Sequence, residues 1–227
     1  MIKAVIFDLD GTLYEEQDYY KSGFAAVAEF ISSRHEQCNA PKITKELSAQ
    51  FESQNYDKTF NAALDNLGIR YSESDITELI EVFRNHKPNI KLPQQSRDVL
   101  DLLNRKYNLG LITDGYLPGQ KLKVEALGIE KFFKCIIYTE ELGREFWKPS
   151  PAAFEKMLKI LNVQGENCVY IGDNARKDFV APNSLGFSTI HIICPSGIHK
   201  KPPPGPQAAP KHVIYGISEL PNLLDKL

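Results

Sequence analysis

The first apolar run of the chain, Lys3-Ala-Val-Ile-Phe7, is short, partly β-branched and stopped by Asp8. Such a run predicts a strand buried on both faces, as in a parallel sheet. From about Glu15 to Lys91 no stretch reads as a strand. Apolar residues recur there at helical spacing: Phe24, Val27, Ala28 and Ile31, then Leu47 and Phe51, then Phe60, Leu64 and Leu67 closed by Gly68, then Ile76, Leu79, Ile80 and Phe83. Ser74 with Glu78 marks a helix start and Pro88 a helix end. From Leu92 the rhythm changes to alternating helices and strands. Helices are predicted over Gln94–Lys106, Gly119–Leu127, Ser150–Leu161, from about Pro182, and over Ser218–Leu227; strands over Leu109–Ile112, Cys135–Tyr138, Cys168–Ile171, Thr189–Ile193 and, at an edge, Val213–Tyr215. That alternation implies an α/β fold with a doubly wound parallel sheet. Residues 1–14 and 92–227 form its core domain. Residues 15–91 are a helical domain inserted between the first and second strands.

Composition narrows the function classes. A chain of 227 residues with 42% hydrophobic and 25% charged residues can bury a full core without staples. The net charge of −2 offers no basic field for a nucleic acid polymer or an anionic membrane. The helical block is the acidic part, with 9 Lys/Arg against 13 Asp/Glu, or −4. The amino-terminal apolar run is too short for a signal peptide, and no stretch approaches the ~20 apolar residues of a membrane helix. Cys38, Cys135, Cys168 and Cys194 lie far apart and form no CxxC. They read as incidental thiols of a cytoplasmic protein. The segment Cys194–Lys211 holds six of the fourteen prolines, so residues 195–211 are expected to be extended and mobile.

The candidate chemistry sits at the carboxyl ends of the predicted strands, where open α/β sheets place their ligands. The first strand ends in Asp8-Leu-Asp10, two carboxylates that repel one another unless a cation or a proton intervenes. Gly11 permits a tight turn behind them. The second strand ends in Thr113-Asp114-Gly115. The third leads into a loop carrying Lys148-Pro149. A further strand, Val169-Tyr-Ile171, ends in Gly172-Asp173-Asn174, with Asp178 following. Each of these alone is consistent with ordinary turn or helix-entry chemistry. Together, Asp8, Asp10, Thr113, Lys148, Asp173 and Asp178 form a convergent set. Carboxylates of this number suit a hard dication with oxygen ligands, Mg²⁺ best, and a lysine and a hydroxyl beside them suit a phosphoryl group.

The motifs DLDGT, LITDG, WKPSP and GDNARKD, in this order, resemble the four motifs of the haloacid dehalogenase superfamily. The resemblance spans residues 1–14 and about 92–225 and implies a Rossmann-like core. The helical insertion resembles that superfamily's C1-type cap by position and helicity alone. The resemblance implies that Asp8 is the nucleophile that forms an aspartyl-phosphate, and that Asp10 is the general acid and then the base. It implies Mg²⁺ held by Asp8, the backbone carbonyl of Asp10, and Asp173. It places a phosphate oxygen on Thr113 and on backbone N–H groups around Leu9 and Asp114. The resemblance further implies that Lys148 neutralises Asp8 and the phosphoryl group, and that Asp178 and Asn174 support them.

Within the superfamily, Asp10 favours phosphate chemistry over carbon–halogen cleavage, in which no leaving oxygen needs an acid. The expected activity is Mg²⁺-dependent hydrolysis of a small phosphorylated metabolite. A phosphotransferase or phosphomutase on the same scaffold and a non-catalytic binding module are the alternatives. Tyr14, Tyr19, Tyr20 and Phe24 are candidates to line the substrate pocket, and Arg144 and Trp147 to reach a second anionic or planar group.

Overall fold

The computed structural model describes residues 1–35, 38–54 and 56–227. These residues divide into two compact units, one of residues 1–17 and 91–227, the other of residues 18–90.

The first unit is built on a six-stranded sheet. Its strands are β1 (Ala4–Phe7), β2 (Asn108–Thr113), β3 (Cys135–Tyr138), β4 (Cys168–Gly172), β5 (Ser188–Ile192) and β6 (His212–Ile214), in the order β3-β2-β1-β4-β5-β6. Every pairing is parallel. β1 is central and all four of its residues are buried, which explains its unbroken apolar run. Register fixes the level of the strand ends. Phe7 pairs with Leu111 on one side and Ile171 on the other, so the residues that follow each strand emerge side by side. Ile6, Ile112, Tyr170, Phe154, Phe179 and Phe187 belong to one buried cluster beneath those ends.

Among the described residues the helices are α1 (Glu16–Ser32), α2 (Ala40–Glu52), α3 (Thr59–Leu67), α4 (Glu73–Asn85), α5 (Gln94–Leu103), α6 (Gly119–Leu127), α7 (Ala152–Leu161), α8 (Val180–Ser184) and α9 (Leu220–Leu224). Gly68 and Gly128 close α3 and α6 in the left-handed conformation. The terminal helix is shorter than its apolar pattern predicts, because a 3₁₀ turn at Ile217–Glu219 precedes it. Pro182 falls in the first turn of α8, where its missing N–H is tolerated.

The second unit is helical, with Phe24, Val27, Ile31, Ile43, Leu47, Leu64 and Leu79 in its core. The start of α4 corrects the expectation at Ser74. Ser72 is the N-cap, its hydroxyl accepting from Asp75 N while the Asp75 carboxylate accepts from Ser72 N. This reciprocal pair satisfies two end groups where Ser74 satisfies neither.

The proline-rich segment is also corrected, at its carboxyl end. Ala208 is fully buried, and Asn183 Nδ2 donates to the carbonyls of Gln207 at 3.0 Å and Ala209 at 2.9 Å. One side chain on α8 thus holds a stretch that composition alone reads as free. Among the described residues no helix is long and apolar enough to cross a membrane.

Candidate active site

The turn after β1 decides where its carboxylates go. Asp8 continues the ladder, its N–H donating to Ile171 O at 2.8 Å. The chain then folds back: Thr12 N and Leu13 N both donate to Leu9 O, and Asp10 bridges to Tyr14. Gly11 turns the corner at φ +69°, and a Cβ there would lie 2.1 Å from Asp173 Oδ2. Glycine is therefore required twice over, by the backbone angle and by the approach of the β4 loop.

Asp8 is 5% exposed and lies beside Lys148, whose ammonium is wholly buried. Lys148 Nζ sits 2.7 Å from Asp8 Oδ1, 2.8 Å from Asp178 Oδ1 and 3.0 Å from the Tyr170 hydroxyl. Burial alone would lower the lysine's pKa, but Asp178 and Asp8 outweigh it and push it well above its ordinary value. Asp178 also accepts from Asn174 N at 2.8 Å through its other oxygen, so it fixes both the lysine and the loop after β4. Gly172 lets it pack this closely, since a Cβ there would meet Asp178 Oδ2 at 2.5 Å.

The carboxylates of Asp8, Asp173 and Asp178 come within 4.8 Å of one another and all three are buried. Desolvation, then repulsion from Asp178, Asp8 and Glu16, raises Asp173 well above the ordinary carboxylate range. Asp8 is pushed up to about 7, chiefly by burial, against the pull of Lys148. An all-oxygen, over-negative donor set of this kind fits a hard divalent cation. The Asp10 side chain is not part of it. Its carboxylate turns away to Lys123 and Gln120 on α6 and to Tyr14, so its only route to such a cation is its backbone carbonyl, as the sequence motif implies.

The expectation at Asp114 concerns its backbone N–H, and its side chain is engaged elsewhere. Its carboxylate accepts from Thr139 Oγ1 at 2.9 Å and Lys148 N at 3.2 Å, and pairs with Lys177 Nζ at 2.8 Å. Burial would raise its pKa, but Lys148 and Lys177 hold it below the ordinary value. The side chain thus ties together the ends of β2, β3 and β4. Thr113 is buried, and its hydroxyl accepts from Gln120 Nε2 at 2.9 Å. Leu9 is fully buried, which leaves only its backbone to face a ligand.

A family model described as haloacid dehalogenase-like hydrolase matches residues 2–186, most of the chain. The chain belongs to the haloacid dehalogenase-like hydrolases. It is 29% identical over 208 residues to glyceraldehyde 3-phosphate phosphatase of Methanocaldococcus jannaschii, covering 85% of this chain and 86% of that one. It is 24% identical over 241 residues to N-acylneuraminate-9-phosphatase of Homo sapiens, covering 100% and 95%. Among solved structures it resembles a 2-haloacid dehalogenase from Pseudomonas syringae, with a TM-score of 0.67, 24% identity, and coverage of 100% and 99%. At that identity the likeness is one of fold.

Several residues of this hydrolase's site escape the motif pattern. Lys177, inside GDNARKD, is legible in the sequence as a charge but not as a partner for Asp114. Tyr170 reads as a strand residue, yet its hydroxyl meets Lys148 and Asp178. Gln120 and Lys123 carried a signal: both lie on the face of α6 that also buries Val124 and Leu127. Polar side chains on a buried helix face need partners. The aromatic candidates divide. Tyr14 donates to Asp10, while Tyr19, Tyr20 and Phe24 pack with Phe83 in the helical unit, Tyr20 and Phe24 also against Phe51. Arg144 lies 4.4 Å over the Tyr116 ring and pairs with Glu140, which also accepts from Trp147 Nε1 at 3.0 Å. These two side chains are therefore already engaged, with Glu140 in their own loop and with Tyr116 in the loop after β2.

Proposed function

We propose that this hydrolase cleaves a small phosphomonoester of the sugar-phosphate class through a phosphorylated Asp8. The observation that carries the reading is the pair of unlike carboxylates. Asp8 lies with Asp173, Asp178 and Lys148 in one buried cluster, while Asp10 is held apart by its own donors. The named activities of the relatives, both on phosphorylated sugars, support the choice of substrate class.

Asp8 attacks phosphorus, and the bond from phosphorus to the leaving oxygen breaks as Asp10, ionised in the substrate-free protein and protonated as the substrate binds, passes that proton to the leaving oxygen. In the second half, a water oxygen bonds to phosphorus, its proton passes to Asp10, and the bond to Asp8 breaks to release phosphate. Lys148 stays charged throughout. It orients Asp8 and offsets the charge of the phosphoryl group. The Thr113 hydroxyl, with backbone N–H groups around Leu9 and Asp114, holds phosphoryl oxygens. Asp178 and Asn174 keep Lys148 and the β4 loop in place. Asp8, Asp173 and the Asp10 carbonyl are assigned to a divalent cation, Mg²⁺ by the hardness of the donors. When bound it supplies positive charge that lets an anionic nucleophile approach an anionic ester. The helical unit, inserted where a C1-type cap would be, is the part of the chain to which we assign the choice of substrate.

The test is phosphate release from a panel of sugar phosphates, nucleoside monophosphates and an aryl phosphate, with Mg²⁺, with EDTA, and with Asp8→Asn. Cation-dependent release that the variant lacks is expected. Release that persists undiminished in Asp8→Asn would overturn the covalent route.

A further inference from the structure

We infer that Lys123, assisted by Gln120, is the positioning residue for proton transfer by Asp10. The inference rests on the phosphatase reading above. Lys123 is 6% exposed, on the inward face of α6, and its ammonium lies 2.9 Å from each oxygen of Asp10. Gln120 sits one turn earlier on the same face. Its Nε2 donates to Asp10 Oδ2 at 2.9 Å and to Thr113 Oγ1 at 2.9 Å, and it also lies against Asp114 O. Its two protons cannot serve all three acceptors at once. The Tyr14 hydroxyl adds a further donor to Asp10 Oδ1.

This arrangement is hard to explain by packing. A leucine at position 123 would fill the inward face of α6 beside Val124 and Leu127 without burying an ammonium. The ammonium spans both oxygens of one carboxylate and so fixes the plane of that carboxylate. A group that must deliver a proton to a leaving oxygen, and later collect one from water, depends on that orientation. Gln120 adds a link to the phosphoryl end. By donating to Thr113 Oγ1 it leaves the threonine's own proton to point at a phosphoryl oxygen. Two residues one turn apart on α6 therefore set the angle of the proton carrier and the polarity of a phosphate-binding hydroxyl.

Dependence on the leaving group separates this role from a structural one. An alkyl phosphate needs its leaving oxygen protonated, whereas 2,4-dinitrophenyl phosphate does not. Lys123→Met keeps the side-chain length and removes the charge. Its turnover of an alkyl phosphate should fall about 100-fold. With the dinitrophenyl ester, the first-turnover burst of dinitrophenolate should stay within about threefold of wild type, followed by a slow steady state, because attack by water still needs Asp10. Gln120→Met should show the same selectivity at about tenfold, and it carries the test if Lys123→Met does not fold. Equal losses on both esters, or no loss on either, would overturn the inference. A wild-type enzyme silent on both esters would overturn the phosphatase reading and this inference with it.

Discussion

Asp8 and Asp10 are two residues apart in one turn, yet they occupy opposite surroundings. Around Asp8 the negative charge is in excess: Asp173 and Asp178 crowd it, and Lys148 is shared between two of the three. Around Asp10 the donors are in excess: Lys123, Gln120 and Tyr14 all converge on one carboxylate. Burial acts on both in the same direction, and the neighbours decide the outcome. Asp8 rises to about 7, while Asp10, although burial raises it too, is drawn below its ordinary value by Lys123. The difference shows how one residue type serves two tasks. The first site lacks positive charge that a cation would supply, and the second is complete without one.

The largest effect should come from removing the crowded carboxylate itself. Asp8→Asn should lower turnover to below about 1% of wild type while the protein stays folded, because a neutral isostere relieves like-charge repulsion. Turnover and a melting curve measured on the same sample check both halves. Lys148→Ala should lower turnover by roughly 10²–10³. Unlike Asp8→Asn it should also destabilise the protein, by about 3–5 kcal/mol, since it leaves Asp8 and Asp178 buried without their cation. A Lys148→Ala protein as stable as wild type would show that the cluster is not the buried ion network described above.

Asp173 tests the charge excess more directly. Its folded-state pKa is raised, as is that of Asp8. A carboxylate raised in this way keeps its proton in the folded protein at pH values where the unfolded chain has already lost it. Stability of the cation-free protein should therefore fall as pH rises from about 4 to about 7, by roughly a few kcal/mol from Asp8. Mg²⁺ should reverse that loss, raising the melting temperature by several degrees at pH 8 and much less at pH 5. Asp173→Asn should melt higher than wild type in EDTA at pH 8 and respond little to Mg²⁺. An equal response to Mg²⁺ at both pH values would break the comparison on the Asp8 side.

The two surroundings also differed in how readable they were. The Asp8 side was legible because its members end successive strands. A buried parallel strand is short, apolar and sharply terminated, so Asp8, Thr113 and Asp173 fall at one sheet edge in the sequence itself, with Lys148 in the loop that follows β3. The Asp10 side was not. Gln120 and Lys123 lie within a helix, and their place on the face of Val124 and Leu127 implies buried partners without saying which. α6 can be bounded from Gly119 and Gly128, but what its inward face docks against cannot. The proline-rich segment failed for a related reason. Composition reports what a segment would do alone, and Asn183 on α8 supplies the partner that composition cannot see.

The smallest effect should fall at the edge of the Asp10 site. Tyr14→Phe keeps the ring and removes one donor, leaving Lys123 and Gln120 in place. A hydrogen bond to a charged group contributes about 1.5–3 kcal/mol when it is the main partner of that group. Here two other donors remain on the same carboxylate, so the loss should be shared among them. Turnover of an alkyl phosphate should fall about three- to tenfold, and binding of Mg²⁺ should not change, because the Tyr14 hydroxyl donates to the Asp10 carboxylate, which is turned away from the Asp8 cluster. Combining Tyr14→Phe with Lys123→Met sharpens the point. If the donors act together on one carboxylate, the double variant should lose less than the product of the two single losses, since the orientation is already gone once Lys123 is removed. A fully multiplicative loss would mean that Tyr14 acts elsewhere, and that the Asp10 site is an assembly of separate contacts rather than a single clamp.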